Sequence, residues 1–298
     1  MLKSEILREK LESKPIVKVC GAFDSMSAKL VEFYGFDAVW AGSFAISAIH
    51  AVPDASILTM TEFFDAASNM TQTCKIPVIA DCDTGYGDAN NVRHMVKKYE
   101  NAGIAGICIE DKTFPKQNSL LKDGNNQLLS EKEFVAKLLA AKEAKQNNAF
   151  TIIARVEALI SGIGMDQALK RAHAYEKAGA DAILIHSKKI TPEEIFEFAD
   201  LWKGNVPLVV IPTTYHSVKI DDLINHKIKM VIYANQTLRA SHAAISRLLK
   251  ELITVNSMSE IQEKMSSMDD IFDLQEMYNI KTQEKELEEK LKKLGYIN

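Results

Sequence analysis

Short apolar runs recur along the chain, and each is followed by a stretch with helical periodicity. Eight such runs are rich in β-branched residues and do not alternate with polar ones: Ile16–Cys20, Ala38–Ala41, Pro77–Cys82, Gly106–Ile109, Thr151–Val156, Ala182–His186, Pro207–Ile211 and Met230–Tyr233. This pattern is typical of strands that are covered on both faces of a parallel sheet. Amphipathic segments such as Asn90–Ala102, Glu131–Gln146 and Asp166–Ala178 predict the helices between them.

Eight strand–helix units in about 250 residues predict a closed (β/α)8 barrel of the TIM type. A doubly wound open sheet is the alternative, but it would carry a G-x-G-x-x-G turn after the first strand. That turn here reads Gly21-Ala22-Phe23-Asp24. We therefore predict a single barrel domain over residues 1–298, in which residues 236–298 form a C-terminal helical extension. In one version of the predicted fold, neighbouring subunits exchange helices of this extension.

Two segments interrupt the strand–helix rhythm, Ser43–Ser56 and the longer, polar Lys112–Ser130. A long polar loop in a compact barrel is usually a lid, a binding loop or a disordered segment. Past the last strand, helical patterns cover Gln236–Leu252 and Met258–Ile280, and Lys281–Lys293 predicts a charge-dense helix.

Composition narrows the classes of function. The 298 residues include 36 Lys and Arg against 40 Asp and Glu, a net charge of −4, which argues against nucleic-acid binding. None of the four cysteines forms a C-x-x-C pair, which argues against a zinc site. Three of them stand in apolar runs, which predicts core positions in a reducing, cytoplasmic compartment. No apolar stretch approaches the length of a membrane span, and the charged amino terminus has no apolar core of a signal peptide.

Acidic residues stand at the ends of two neighbouring predicted strands. Asp81 and Asp83 end the third and Glu110 ends the fourth. Positions two apart share one face of a strand, so we expect the three carboxylates to converge. Because converging carboxylates repel each other, a hard cation such as Mg²⁺, or Mn²⁺ in its place, would stabilise them. Helix-capping acids remain the alternative.

Three further residues carry candidate chemistry. Arg155 lies within an apolar strand and needs an anion, either Glu157 or a phosphate or carboxylate of a substrate. His186 ends the sixth strand, where a histidine is either a satisfied core group or part of the acidic rim. Asp54 follows the second strand and, on local sequence alone, fits a turn aspartate.

The strand ends, taken together, resemble the isocitrate lyase and phosphoenolpyruvate mutase superfamily over residues 14–275. The motifs that carry the resemblance are Gly21-Ala22-Phe23-Asp24-Ser25, Ala80-Asp81-Cys82-Asp83-Thr84-Gly85-Tyr86-Gly87, Glu110-Asp111-Lys112-Thr113-Phe114-Pro115-Lys116-Gln117-Asn118-Ser119, Ala154-Arg155-Val156-Glu157-Ala158 and Gly179-Ala180-Asp181-Ala182. The D-x-D-T-G-Y-G stretch is common to the superfamily. The E-D-K-x₅-N-S stretch resembles the gating loop of its mutases, although Thr113 is similar to the hydrolases.

The resemblance implies conversion of phosphoenolpyruvate to 3-phosphonopyruvate, the entry step of phosphonate biosynthesis. It implies Mg²⁺ held by Asp81, Asp83 and Glu110, partly through water, and Asp54 as the nucleophile that accepts the phosphoryl group. An alternative role for Asp54 is to orient a metaphosphate-like group.

The resemblance also assigns roles to the other site residues. Arg155 and His186 would neutralise phosphoryl charge, and Lys116 and Asn118 would reach the substrate only when the lid closes. The predicted substrate-binding residues are Trp40, Gly42, Ser43, Phe44, Asp81, Arg155 and His186. Relatives carry Ser-Gly where this chain reads Gly42-Ser43, which leaves the part of Ser43 less defined. Superfamily members commonly form tetramers through the last helix, so a homotetramer or a dimer is expected.

Other functions compete with the mutase. A phosphonopyruvate hydrolase, giving pyruvate and phosphate, would share Asp54, the metal carboxylates and Arg155, and Asn118 is the residue that separates the two. A lyase of the methylisocitrate type needs a cysteine in a K-[KR]-C-G-H loop, whereas this loop reads Asp111-Lys112-Thr113-Phe114. A decarboxylase of the oxaloacetate type would not need the lid. A barrel kept as a scaffold would have lost an acid or the arginine.

Overall fold

The computed structural model describes residues 1–124 and 126–297. Within them, eight parallel strands follow one another around a closed barrel in chain order, as the sequence predicts. The strands are β1 Val17–Ala22, β2 Ala38–Ala41, β3 Val78–Asp81, β4 Gly106–Glu110, β5 Thr151–Val156, β6 Ala182–Ile185, β7 Leu208–Val210 and β8 Ile228–Tyr233. Two of the predicted strands have the observed bounds. The other predicted strands differ from the observed ones by one or two residues at one or both ends.

Helices alternate with the strands along the chain, and further helices follow the last strand. The α-helices are α1 Lys3–Ser13, α2 Ser25–Phe33, α3 Ser43–Ile49, α4 Met60–Thr73, α5 Ala89–Asn101, α6 Glu131–Ala144, α7 Ala158–Ser161, α8 Met165–Ala178, α9 Glu193–Leu201, α10 Ile220–Asn225, α11 Gln236–Leu252, α12 Met268–Leu274 and α13 Met277–Lys293. Short 3-10 turns cover Met258–Glu260 and Gln262–Lys264. The predicted helix over Gln236–Leu252 is confirmed.

Apolar side chains form two layers of core. The larger cluster fills the space between the strands and the surrounding helices, and a second one lies inside the barrel. Leu7 and Leu11 of α1 join this inner cluster. On the same helix, Arg8 forms an ion pair with Asp181, which immediately precedes β6. Helix α1 therefore covers the amino-terminal end of the barrel and leaves the carboxyl ends of the strands to the site.

Two sequence predictions need correction. The predicted loop Ser43–Ser56 begins with helix α3. The stretch Met258–Ile280 is not one helix, because it contains 3-10 turns, α12 and the start of α13. The side chain of Ser267 caps α12, and Glu276 adopts a left-handed φ of 56° before α13, so both positions interrupt the helical path.

The backbone divides into two compact units, Met1–Arg239 and Ala240–Asn298. The first contains all eight strands and every candidate site residue. The four cysteines are buried and unpaired, which confirms the core positions predicted for three of them. Among the described residues, no helix combines the length and the apolar character that crossing a membrane requires.

Candidate active site

The turn after β3 places the two aspartates. Asp83 adopts a φ of 51°, followed by Gly85 at 88°, Tyr86 at 59° and Gly87 at 148°. Side chains disfavour this left-handed region, which explains the two glycines of the motif. The explanation from strand alternation was wrong: β3 ends at Asp81, and a turn, not the strand, directs Asp83 into the site.

The three predicted carboxylates lie close to different partners. Ser43 Oγ donates a hydrogen bond of 3.0 Å to Asp81 Oδ2. Asp83 Oδ1 lies 3.0 Å from Lys116 Nζ, and Glu110 Oε2 lies 3.3 Å from Arg155 Nε. Glu110 is 3% exposed, and its Oε1 has no hydrogen-bond partner among the described residues. The site therefore contains a buried oxygen that is free to bind a cation.

Burial dominates the electrostatics of these acids. It raises the pKa of Asp83 to about 6, although the Lys116 ammonium opposes the rise. Burial likewise raises the pKa of Glu110 to about 7 against the opposing charges of Arg155 and Lys112. Burial thus moves the pKa values of both carboxyl groups toward neutral pH.

The lid loop, residues 112–130, meets Asp54 through two side chains. Lys116 Nζ lies 2.7 Å from Asp54 Oδ1, and Asn118 Nδ2 donates a hydrogen bond of 2.8 Å to Asp54 Oδ2. Burial lowers the pKa of Lys116, but the surrounding carboxylates, Asp83 and Asp54 first, outweigh it and raise that pKa above its usual value. The structure thus brings Asp54 together with Lys116 and Asn118, which lie 62 and 64 residues further along the chain. The sequence linked these three residues only by resemblance.

Glu157 connects Arg155 and His186. Arg155 Nε donates a 2.5 Å hydrogen bond to Glu157 Oε1, and His186 Nδ1 lies 2.8 Å from both that oxygen and Arg155 Nη2. Burial opposes ionisation of Glu157, but Arg155 and His186 hold its pKa well below its usual value. Burial and the Arg155 charge lower the pKa of His186, which favours the neutral imidazole. The sequence left open which anion pairs with Arg155, and in the structure this anion is Glu157.

Sequence reasoning offered Glu157 as one partner for Arg155, but it missed the network that Glu157 forms with two other buried polar residues. Glu157 is fully buried, and Lys112 and Ser119 are almost so. Ser119 Oγ donates a 2.6 Å hydrogen bond to Glu157 Oε2 and accepts one from Lys112. The spacing Arg155-Val156-Glu157 within an apolar strand was the available signal for Glu157. Nothing local distinguished Lys112 and Ser119 from the other polar residues of the loop.

The predicted substrate-binding residues of β2 and of the segment that follows it have different surroundings. Trp40 is 1% exposed within the inner cluster of the barrel. A Cβ on Gly42 would lie 2.9 Å from the Trp40 ring, so glycine is required for this close approach. Ser43 reaches Asp81 and lies 3.4 Å from Lys116 Nζ, whereas the ring of Phe44 is 41% exposed. The structure brings only Ser43 of this group to the charged residues by its side chain.

No three His, Cys, Asp or Glu side chains within 1–124 and 126–297 are already arranged to bind one ion. The donor set at the strand ends nevertheless consists of carboxylates, the ligands that Mg²⁺ prefers in combination with water. Together with the unpartnered Glu110 Oε1, it fits a hard cation that keeps several waters.

These features define a (β/α)8-barrel enzyme whose acidic and basic groups converge at the carboxyl ends of the strands, beneath a loop. Comparison with known families agrees, because residues 7–253 match the family model described as phosphoenolpyruvate phosphomutase. The chain belongs to the phosphoenolpyruvate phosphomutase family, a branch of the isocitrate lyase and phosphoenolpyruvate mutase superfamily.

Relatives of two activities resemble the chain to a similar extent. It is 41% identical to a phosphoenolpyruvate phosphomutase of Tetrahymena pyriformis, over 92% of this chain and 91% of that protein. It is 42% identical to a phosphonopyruvate hydrolase of Variovorax sp. (strain Pal2), over 92% and 95% of the two chains. A crystal structure of phosphoenolpyruvate phosphomutase from Streptomyces platensis subsp. rosaceus superposes with a TM-score of 0.93 at 43% identity, covering 95% and 98% of the two chains. A structure of phosphonopyruvate hydrolase with oxalate and Mg²⁺ gives 0.89 at 40% identity, covering 95% and 98%.

Proposed function

We propose that the protein interconverts phosphoenolpyruvate and 3-phosphonopyruvate by moving the phosphoryl group between the enol oxygen and C3. The proposal rests on one observation: Lys116 and Asn118, both on the lid loop, each donate a hydrogen bond to one of the two carboxylate oxygens of Asp54. A phosphoryl group that is transferred to Asp54 would therefore meet a cation and an amide donor in a site closed to water.

With Asp54 as the nucleophile, each bond that forms in the reaction is matched by a bond that breaks. Its carboxylate oxygen attacks phosphorus, and the P–O bond to the enol oxygen breaks, which leaves pyruvate enolate and an aspartyl phosphate. C3 of the enolate then attacks phosphorus, and the bond to Asp54 breaks, so that the carboxylate is restored. Transfer through a metaphosphate-like species, in which Asp54 only orients the group, would use the same side chains.

Charged neighbours support these steps. Arg155 and the neutral His186 are positioned by Glu157 to neutralise and hydrogen-bond oxygens of the transferred group. Lys116 would balance the phosphoryl charge from the lid. We infer that substrate binding also uses Trp40, Gly42, Ser43, Phe44 and Asp81, as the family resemblance implies.

We infer Mg²⁺ as the cofactor, with Mn²⁺ as a substitute. Asp81, Asp83 and Glu110 would hold the ion, partly through water. When bound, the ion would polarise the pyruvyl oxygens as a Lewis acid. The all-carboxylate donor set and the unpartnered Glu110 Oε1 support this assignment.

Hydrolysis of 3-phosphonopyruvate is the second candidate function. The near-equal identity to the Variovorax hydrolase favours keeping it, since both activities need the same acids. Asn118 favours the mutase, because the family resemblance associates it with the mutases and because its amide holds the lid loop against Asp54, which keeps water away from the phosphoryl group.

³¹P NMR of the purified protein with Mg²⁺ and 3-phosphonopyruvate distinguishes the two functions. We start from the phosphonate because the C–P compound is the less stable side of the equilibrium. Appearance of the phosphoenolpyruvate signal is the expected result. Inorganic phosphate together with pyruvate would identify a hydrolase instead, and no change in either signal would refute both assignments.

We propose further that the chain assembles as a homotetramer or dimer through α11. No residue of this helix is buried within the chain, and its apolar residues Ile245 and Leu249 are exposed. Light scattering after size exclusion would test this, and a monomer at micromolar concentration would contradict it. The buried, unpaired cysteines support a cytoplasmic location.

A further inference from the structure

The side chain of Lys112 is buried where the lid loop leaves β4. It is 1% exposed. Its Nζ donates hydrogen bonds of 2.7 Å to the carbonyl oxygen of Gln117 and 2.7 Å to Ser119 Oγ. These two acceptors flank Asn118, the lid residue that contacts Asp54. Lys112 therefore fixes the loop on both sides of a group that reaches the reacting atoms.

Ser119 joins this contact to the barrel. Its hydroxyl donates to Glu157 Oε2 at 2.6 Å and accepts from Lys112 Nζ and, at 3.1 Å, from Arg155 Nη2. A hydroxyl has one proton and two lone pairs, so all three positions are used. Lys112 Nζ also lies 3.7 Å from Glu157 Oε2. The position of the lid and the position of Arg155 are thus set by one hydrogen-bonded network.

The two ends of the loop are held separately. Arg171 donates hydrogen bonds of 3.0 Å to Asp111 Oδ2 and 3.0 Å to the carbonyl oxygen of Leu129. The Leu129 amide donates to the Asp111 carbonyl at 2.9 Å. These contacts keep the base of the loop in place but do not reach residues 116–118. That central part is held by the Lys112 and Ser119 contacts, by the Lys116 amide, which donates to Ser56 Oγ at 3.0 Å, and by the contacts of Lys116 and Asn118 with Asp54.

We propose that Lys112 is a positioning residue that latches the lid closed and so places Lys116 and Asn118 on Asp54. The part of this inference that concerns turnover rests on the proposed function. Without the ammonium group, the central loop leaves Asp54 more often and water enters. Phosphoryl groups are then lost to water rather than returned to the enolate.

Hydrogen–deuterium exchange measures the latch without any catalytic activity. Lys112→Met removes the ammonium group and keeps an unbranched apolar chain that is one atom shorter. Lys122→Met changes an exposed lysine of the same loop as a matched control. Amides of residues 113–121 should exchange about tenfold faster in Lys112→Met, because two hydrogen bonds to a charged donor are lost. Lys122→Met should match the wild type. Equal exchange in the two variants would overturn the proposal.

Turnover provides the second readout. With 3-phosphonopyruvate and Mg²⁺, Lys112→Met should lower kcat and increase the fraction of product that appears as inorganic phosphate. Faster exchange with an unchanged kcat and product ratio would refute the positioning role. If the wild type forms neither phosphoenolpyruvate nor phosphate, the proposed function fails, while the exchange comparison still decides whether Lys112 is a latch.

A second variant covers the case in which Lys112→Met does not fold. Ser119→Ala removes the acceptor on the loop, and it should also accelerate exchange of residues 113–121. Where both variants fold, the effects of the two substitutions on exchange should be less than additive in the double variant, because they remove a shared hydrogen bond. Additive effects, or wild-type exchange in Ser119→Ala, would overturn the latch.

Discussion

Replacement of Asn118 by alanine tests whether the lid acts on Asp54. The substitution removes one 2.8 Å hydrogen bond to a carboxylate oxygen whose side chain is 4% exposed. A hydrogen bond to a charged group contributes about 1.5–3 kcal/mol, which corresponds to a decrease in kcat of about 10- to 150-fold. Lys116 still pairs with the other oxygen, so the carboxylate is not left unpartnered and the fold should persist.

The assay follows both products of 3-phosphonopyruvate by ³¹P NMR at saturating Mg²⁺. Asn118→Ala should lower formation of phosphoenolpyruvate and raise the share of inorganic phosphate, since the lid loop is then held less firmly against Asp54 and water can reach the phosphoryl group. Mg²⁺ affinity, measured by calorimetry, should change little. Asn118→Asp should be slower still, because it places a second carboxylate against Asp54.

A control on the same loop isolates the effect of position. The amide of Asn126 donates to the carbonyl oxygen of Gly124 at 3.2 Å and makes no contact with Asp54 among the described residues. Asn126→Ala should therefore keep kcat within about twofold of the wild type. Wild-type kcat and product ratio in Asn118→Ala would refute the assigned role of the lid.

Further predictions concern the nucleophile, the metal site and the barrel wall. Asp54→Ala should abolish turnover while circular dichroism and Tm stay near those of the wild type; retention of wild-type kcat would exclude the covalent role. Because Asp83 and Glu110 have pKa values raised to about 6 and 7, Mg²⁺ must displace protons from them as the pH falls through this range. Mg²⁺ binding should thus weaken below about pH 7 and release protons, which calorimetry in buffers of different ionisation enthalpy would detect; a pH-independent affinity would contradict it. Gly42→Ala should destabilise the protein by about 1–3 kcal/mol, because the new Cβ would overlap the Trp40 ring, and an unchanged Tm would show that the wall adapts.

The barrel was accessible from sequence because its strands are buried on both faces. Runs such as Thr151–Val156 are apolar apart from Thr151 and Arg155, and their bounds could be predicted closely. The segment Ser43–Ile49 was taken as loop because it is too short for its periodicity to be recognised. Beyond the barrel, the left-handed Glu276 divides a stretch whose composition is helical throughout.

The candidate site was predictable only to the level of its residue types. The order of strands around a barrel predicts that Asp81 and Glu110 are neighbours. It does not predict that a left-handed backbone directs Asp83, or that Lys116 lies between Asp54 and Asp83, because both depend on tertiary packing. The network around Glu157 could not be inferred either, since a buried polar residue is recognisable only when its partners are known.

The lysine between Asp54 and Asp83 has a consequence for the kinetics of substrate capture. Lys116 pairs with both acids, and the loop is closed over them. A ligand can enter only after these pairs break, so apparent affinity is the intrinsic affinity reduced by the fraction of molecules that are open. Association should then saturate with substrate concentration at the rate of loop opening, and higher ionic strength, by weakening the pairs that close the loop, should raise that limit.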